Sequence, residues 1–229
     1  MEDGISTVFT IPYLNLPVTN AVVMSWIAMI IIIVWAFCAT RNMKNVPGKL
    51  QNTAEIVVEF INNFSSGFMN KLDVKTFAPY VGTVFLFLAI ANTIGALFMG
   101  ELTNGIIAPP ARSLGIAVAL ALMTIVIAVG AGIWKKGLKG FLKSFLEPLP
   151  FLLPFNLLEL ITKPLSLSMR LFGNILGAYI LMELLVASTH IIFPSIACLY
   201  FDLFDGGLQA FVFTFLTVLY ISEEVNEEE

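Results

Sequence analysis

Leu165-Ser-Leu-Ser-Met-Arg170-Leu-Phe-Gly-Asn174-Ile-Leu-Gly-Ala-Tyr-Ile-Leu181 is apolar enough to sit in lipid, yet it carries an arginine near its middle. A guanidinium stays charged at any physiological pH. At bilayer depth its cost runs from about 3 kcal/mol on insertion scales to over ~10 kcal/mol in simulations. Such a charge needs a partner, a wet cavity or a function. Arg170 is therefore the first candidate functional residue.

The composition around it sets the class. Of 229 residues, 58% are hydrophobic and only 12% charged, and the mean hydropathy is +0.90. A soluble domain carries about 25% charged residues. This is the profile of an all-α, polytopic integral membrane protein with little chain outside the bilayer. The net charge of −4 says little about partners. Five of the 16 acidic residues fall in Glu223-Glu-Val-Asn-Glu-Glu-Glu229, which reads as a solvated tail. Cys38 and Cys198 stand alone in apolar sequence, with neither zinc-ligand nor disulfide-framework spacing. The N-terminus has no basic region and no small-residue cleavage site, so it does not read as a signal peptide.

A span needs about 20 apolar residues. The sequence predicts spans over about 18–39, 77–99, 114–134, 150–193 and 196–221. Between the first two, Ile56, Val57, Phe60, Ile61 and Phe64 recur at helical spacing among Gln51, Glu55, Glu59 and Asn63. This pattern predicts an interfacial amphipathic helix over about 49–70. The stretch 150–193 is too long for one perpendicular crossing, so it tilts steeply or re-enters, with Pro148, Pro150, Pro154 and Pro164 offering breaks. Arg41, Lys44, Lys49, Lys71 and Lys75 fall in one connection, and Lys135, Lys136, Lys139 and Lys143 in another on the same side. Arg112 stands alone in the others. The positive-inside rule then places the N-terminus outside and the C-terminus in the cytoplasm. With no internal repeat, residues 1–229 read as one membrane domain.

On an unbroken helix Asn156, Glu159, Lys163, Arg170, Asn174 and Gly177 fall within roughly 60° of one another. Glu159 and Lys163 are four apart in the favourable order for pairing. Arg170 has Ser166, Leu167, Gly173 and Asn174 one turn away, but no carboxylate. Ser168 points to the far side. Two readings remain: a structural arginine that snorkels or pairs with another span, or one that faces an acidic partner in a wet seam, on another chain. Gly173 and Gly177 on the same side permit close approach of a second helix.

The last span adds acids. Asp202, Asp205 and Gln209 share a helical face, with both Asp residues toward the outer end. Carboxylates entering a hydrophobic span suggest a water-filled path for a cation. If Gly206-Gly207 breaks the helix, both instead lie in an outer loop. Glu183 joins that outer path or reaches the interface. Glu101 reads as an outer-loop acid, His190 as interfacial, and Trp26, Trp35 and Trp134 as lipid-facing or interfacial anchors. A phosphate-binding Gly-Lys-Ser/Thr loop, metal-ligand spacing and a nucleophile elbow are all missing. The expectation is no catalytic nucleotide site, no metal, no cofactor and no nucleic-acid partner. The chemistry, if any, is the movement of charge.

These residues resemble subunit a of the F-type ATP synthase membrane sector, bacterial type. Pro164-Leu-Ser-Leu-Ser-Met-Arg170-Leu-Phe-Gly-Asn174 is similar to that family's Pro-x-Ser-Leu-x-x-Arg-Leu-x-x-Asn signature. Leu208-Gln209-Ala-Phe-Val-Phe-Thr-Phe-Leu-Thr-Val-Leu-Tyr220 is similar to its last-span signature, and Phe85-Leu-Phe-Leu-Ala-Ile-Ala-Asn92-Thr-Ile-Gly95 to an earlier one. Each motif alone is modest, but their order and spacing together are specific. The resemblance implies that Arg170 is the stator arginine facing a ring of c subunits, with Asn174 and Gln209 lining the ion path. From the residues themselves, Asp202, Asp205 and Glu183 are the candidates for the outer half-channel, and Glu159 and Lys163 form a supporting polar stripe. The resemblance further implies long tilted helices against the c-ring. The implied partners are that ring, the subunit b peripheral stalk and the remaining synthase subunits, within the lipid of a bacterial cell membrane. Many members carry Glu where this chain has Tyr179 and His where it has Asp202, so the outer acid has moved. A competing expectation, from the residues alone, is a self-contained secondary ion or solute transporter with Arg170 in its substrate site. The small size and the lack of inverted repeats stand against it.

Overall fold

A run such as Val22–Phe37, apolar on every side, satisfies its backbone in lipid only as a helix. The computed structural model, which describes residues 7–11, 16–41, 43–97, 110, 113–144, 151, 153–188 and 204–225, bears out the all-helical reading. In chain order the helices are α1 (Asn20–Thr40), α2 (Lys49–Ser66), α3 (Lys71–Leu97), α4 (Leu114–Ser144), α5 (Leu153–Ser188) and α6 (Gly206–Val225). Four of them, α1, α3, α4 and α6, are long and apolar enough to cross a membrane. A small antiparallel hairpin precedes them, β1 (Thr7–Ile11) and β2 (Leu16–Thr19), pairing Phe9 with Val18 and Ile11 with Leu16.

Packing joins α3, α4, α5 and α6 around two apolar clusters. One holds Val74, Phe77, Val81, Ala128, Val218 and Ile221, and α2 inserts Ile61 into it. The other holds Val84, Leu88, Ala117, Ala121, Leu167, Leu171, Ala210 and Phe213. α1 buries only Asn20, Ala21, Met24, Ala28 and Ala39 and leaves Ile30, Ile33, Val34 and Phe37 exposed. Apolar side chains outward over most of a helix are the signature of lipid as the surrounding solvent.

The expected amphipathic segment forms α2. Phe60 and Phe64 meet Phe85, Phe211 and Phe215, so this helix lies against α3 and α6. The third expected span ends at Trp134, where the chain kinks at Gly137 in the left-handed region (φ 70°). Glycine accepts that backbone without a Cβ penalty. Helix then continues to Ser144, turning Phe141 back over Gly132, where a Cβ would lie 3.0 Å from the ring. α3 starts at Lys71, ahead of its apolar run, because Asp73 is buried there against Lys135 of α4 at 2.7 Å.

Two expectations change. Pro164 does not break α5, which runs unbroken from Leu153 to Ser188 with Pro154 in its first turn. After Pro164 the helix is held by the buried Leu167 and Leu171, and just before it by the Lys163–Glu223 ion pair. The acidic tail also begins later than its composition suggests. Glu223 and Glu224 belong to α6, Val225 is fully buried, and Ser222 donates a hydrogen bond to the Phe68 carbonyl at 2.6 Å.

Candidate ion path

α5 presents two faces. Leu167, Ser168 and Leu171 are buried, and Leu167 and Leu171 pack with Ala210 and Phe213 of α6. Ser168 turns its hydroxyl onto the Leu165 carbonyl at 3.0 Å, a local bond that removes a polar group from the core. The opposite side, with Leu165, Met169, Gly173, Ile180 and Leu184, is exposed. The polar stripe runs about a quarter-turn from the buried face. It therefore follows the rim where α5 leaves the rest of the protein. Asn156, Lys163 and Asn174 are half-buried there, and Glu159, Arg170 and Gly177 are exposed.

Lys163 is tied down. Its Nζ lies 3.1 Å from Glu159 of its own helix and 2.8 Å from Glu223 of α6, and 5.4 Å from the centre of the Tyr220 ring. The first pair is the one its spacing predicts. The second was hidden, because Glu223 reads in sequence as part of a solvated tail.

Arg170 differs. Among the described residues it has no hydrogen-bond or ion-pair partner, although its charge acts on Tyr220. Asn174, one turn on, likewise has no hydrogen-bond partner among them. Gln209 sits inside α6, 4% exposed, beside the Ala210 that packs on α5's buried face. Its Nε2 is buried without a hydrogen-bond partner. On α3, Asn92 donates from Nδ2 to the Gly206 carbonyl at 2.9 Å, while its Oδ1 is buried and unpaired. Gly206 suits this close crossing, since a Cβ there would stand 3.0 Å from the Asn92 Cβ and crowd it.

Residues 22–222 match the family model of the ATP synthase A chain. The chain belongs to this family. As a member it is a multi-pass membrane protein of the Fo sector, works there with other subunits, and serves proton translocation. It is the ion-translocating part of the ATP synthase, not its catalytic site.

The remaining expected residues are placed unevenly. Asp205 lies in a π-helical turn that runs directly into α6 and is half-buried. Gln209 follows within α6, and the rest of the helical face expected for Asp202, Asp205 and Gln209 falls outside the described residues. Asp202, His190 and Glu101 lie outside the described residues, and Glu183 and Tyr179 are described as α5 backbone only. Trp26 and Trp134 are exposed, as anchors in lipid or at its interface would be. Sequence reading left Asn92 without a role of its own. Its signal was an amide inside an apolar run, which must find a partner across the helix bundle.

Proposed function

We propose that this chain is the stator ion-path subunit of a rotary F-type ATP synthase. In this reading it supplies two half-channels that pass H⁺ or Na⁺ to and from the carboxylates of a c-subunit ring. α1, α3, α4, α5 and α6 cross the membrane and α2 lies along it, with the N-terminus outside and the C-terminus in the cytoplasm of a bacterium. The 36 residues of α5 span about 54 Å. Against a hydrocarbon core of about 30 Å a helix of that length tilts steeply and lays its exposed face along the ring. The subunit b stalk holds the assembly against rotation.

The observation that carries the reading is the exposed Arg170, without a hydrogen-bond or ion-pair partner among the described residues, on a rim whose neighbouring face is packed apolar core. A ring carboxylate cannot traverse lipid while ionised, because its desolvation cost is too high. It travels neutralised by a bound ion. Close to Arg170 the opposite charge favours the ionised carboxylate, and the ion is released. The same fixed charge repels a cation leaking directly between the half-channels. Each charge moved is driven by about 2.3 kcal/mol per 100 mV of membrane potential. The outer half-channel runs from Asp202, Asp205 and Glu183 to Asn174 and Gln209. The unpaired buried amide atoms of Gln209 and Asn92 support a wet path near the start of α6, since water is the partner such atoms find.

Arg170→Ala in the assembled complex is expected to abolish ion-driven ATP synthesis in membrane vesicles, with the chain still inserted. Synthesis at the parental rate overturns the assignment.

A further inference from the structure

We propose that Lys163 is a positioning residue for the ion-transfer step. Its ion pair with Glu223 fixes how far α5 is slid along α6, and so sets the height at which Arg170 meets the rotor. The inference rests on the reading of Arg170 given above and adds to it the part that holds the guanidinium in place.

The two helices run antiparallel. Lys163 of α5 meets Glu223 near the C-terminal end of α6, while Leu167 and Leu171 meet Ala210 and Phe213 further back along it. The apolar contact keeps the helices together but is non-directional. Leucines sliding over an alanine and a phenylalanine lose little over a short axial slip. The ion pair is directional, with a 2.8 Å contact. The ammonium is the sheltered member, its side chain 14% exposed against 49% for Glu159 and 53% for Glu223. The carboxylates thus close over it from the outside, one from each helix. Tyr220 walls the other side, its ring face toward Nζ.

Arg170 lies seven residues further along the same stripe, about 10 Å away along the axis. No joint separates the two residues, because α5 is continuous. Any axial slip at Lys163 is therefore passed undiminished to the guanidinium. Leu165, Met169, Gly173, Ile180 and Leu184 on the outer side of α5 are exposed. A moving rotor on that side pulls on α5, and the pair resists the pull.

The test is a double-mutant cycle in the whole ATP synthase in membrane vesicles, reading ions pumped per ATP hydrolysed, with the amount of chain in the membrane checked in parallel. Lys163→Met and Glu223→Gln are each expected to lower that ratio about two- to fivefold, the scale of a partly exposed ion pair. The double variant is expected to be no worse than the poorer single, because both remove one interaction. Lys163→Arg, which keeps the charge and reach, is expected to retain the parental ratio. If Lys163→Met does not accumulate, Glu223→Gln decides, since it removes the same pair from an exposed side chain. Parental ratios in the single variants, additive losses in the double, or an Arg variant as poor as the Met variant each overturn the proposal. Arg170→Ala is measured alongside. If it still couples, the reading of Arg170 fails. If it is inactive while Glu223→Gln is parental, only the positioning role fails.

Discussion

Lys163 and Arg170 are two cations on one stripe of one helix, two turns apart, and the fold treats them differently. Lys163 is enclosed by a carboxylate from α5 and another from α6. Arg170 is left with glycines, an amide and a hydroxyl nearby and no counter-charge among the described residues. A paired charge completes a structure within the chain. An unpaired one, at a depth where isolation is costly, is completed by something outside it. The contrast separates positioning from function more sharply than either residue's burial does.

The largest expected effect comes from erasing that contrast. Ser166 is exposed one turn before Arg170. Ser166→Glu places a carboxylate four residues ahead of the arginine, the favourable order for a helical pair, and makes Arg170 resemble Lys163. An opposite charge nearby shifts an ionisation by about 1–3 pKa units, so losing Arg170's field slows ion release by about tenfold or more. ATP synthesis in vesicles is expected to fall accordingly, while Ser166→Gln, similar in size without the charge, keeps at least half the parental rate. A Glu variant that synthesises like the parent shows that Arg170's charge is not what matters.

An uncharged version of the contrast lies between α3 and α6. Asn92 satisfies its donor on the Gly206 carbonyl, whereas Gln209 buries an Nε2 with no partner. A lone buried donor costs about 1–3 kcal/mol. Gln209→Met is therefore expected to leave the melting temperature of the membrane sector unchanged or raised, yet to reduce ion flux several-fold. A clear drop in melting temperature would mean that Gln209 has a structural partner and no place on the path.

Much of this was legible in the sequence because lipid leaves few options. Long apolar runs are helices, and a cation inside one is conspicuous. That Arg170, Asn174, Glu159 and Lys163 share one face follows from a 3.6-residue period, while the role of Asn174 on an ion path came only from the family resemblance. What was not legible required contact between distant segments. Glu223 looked like the head of a charged tail until Val225 proved buried and Lys163 was found against it. Asp73 and Lys135 are 62 residues apart and meet only because α3 and α4 pack together. Pro164 looked like a break because local chemistry says so, yet α5 runs through it, with Lys163 paired to Glu223 on one side and Leu167 buried on the other.

The smallest expected effect concerns the outer acids. Asp205 lies in the π-helical turn that runs into α6, four residues ahead of Gln209. A cation approaching Gln209 would meet its charge there. Asp→Asn keeps the side chain's size and a hydrogen-bonding group and removes only the charge. Asp205→Asn and Asp202→Asn are each expected to slow synthesis modestly when the outer ion is scarce and to match the parent when it is abundant, with the double variant slower than either. A purely structural role predicts a small change in melting temperature and the same rate at every ion concentration. Parental rates in Asp202→Asn and in the double variant, with the ion limiting, take both acids off the ion path.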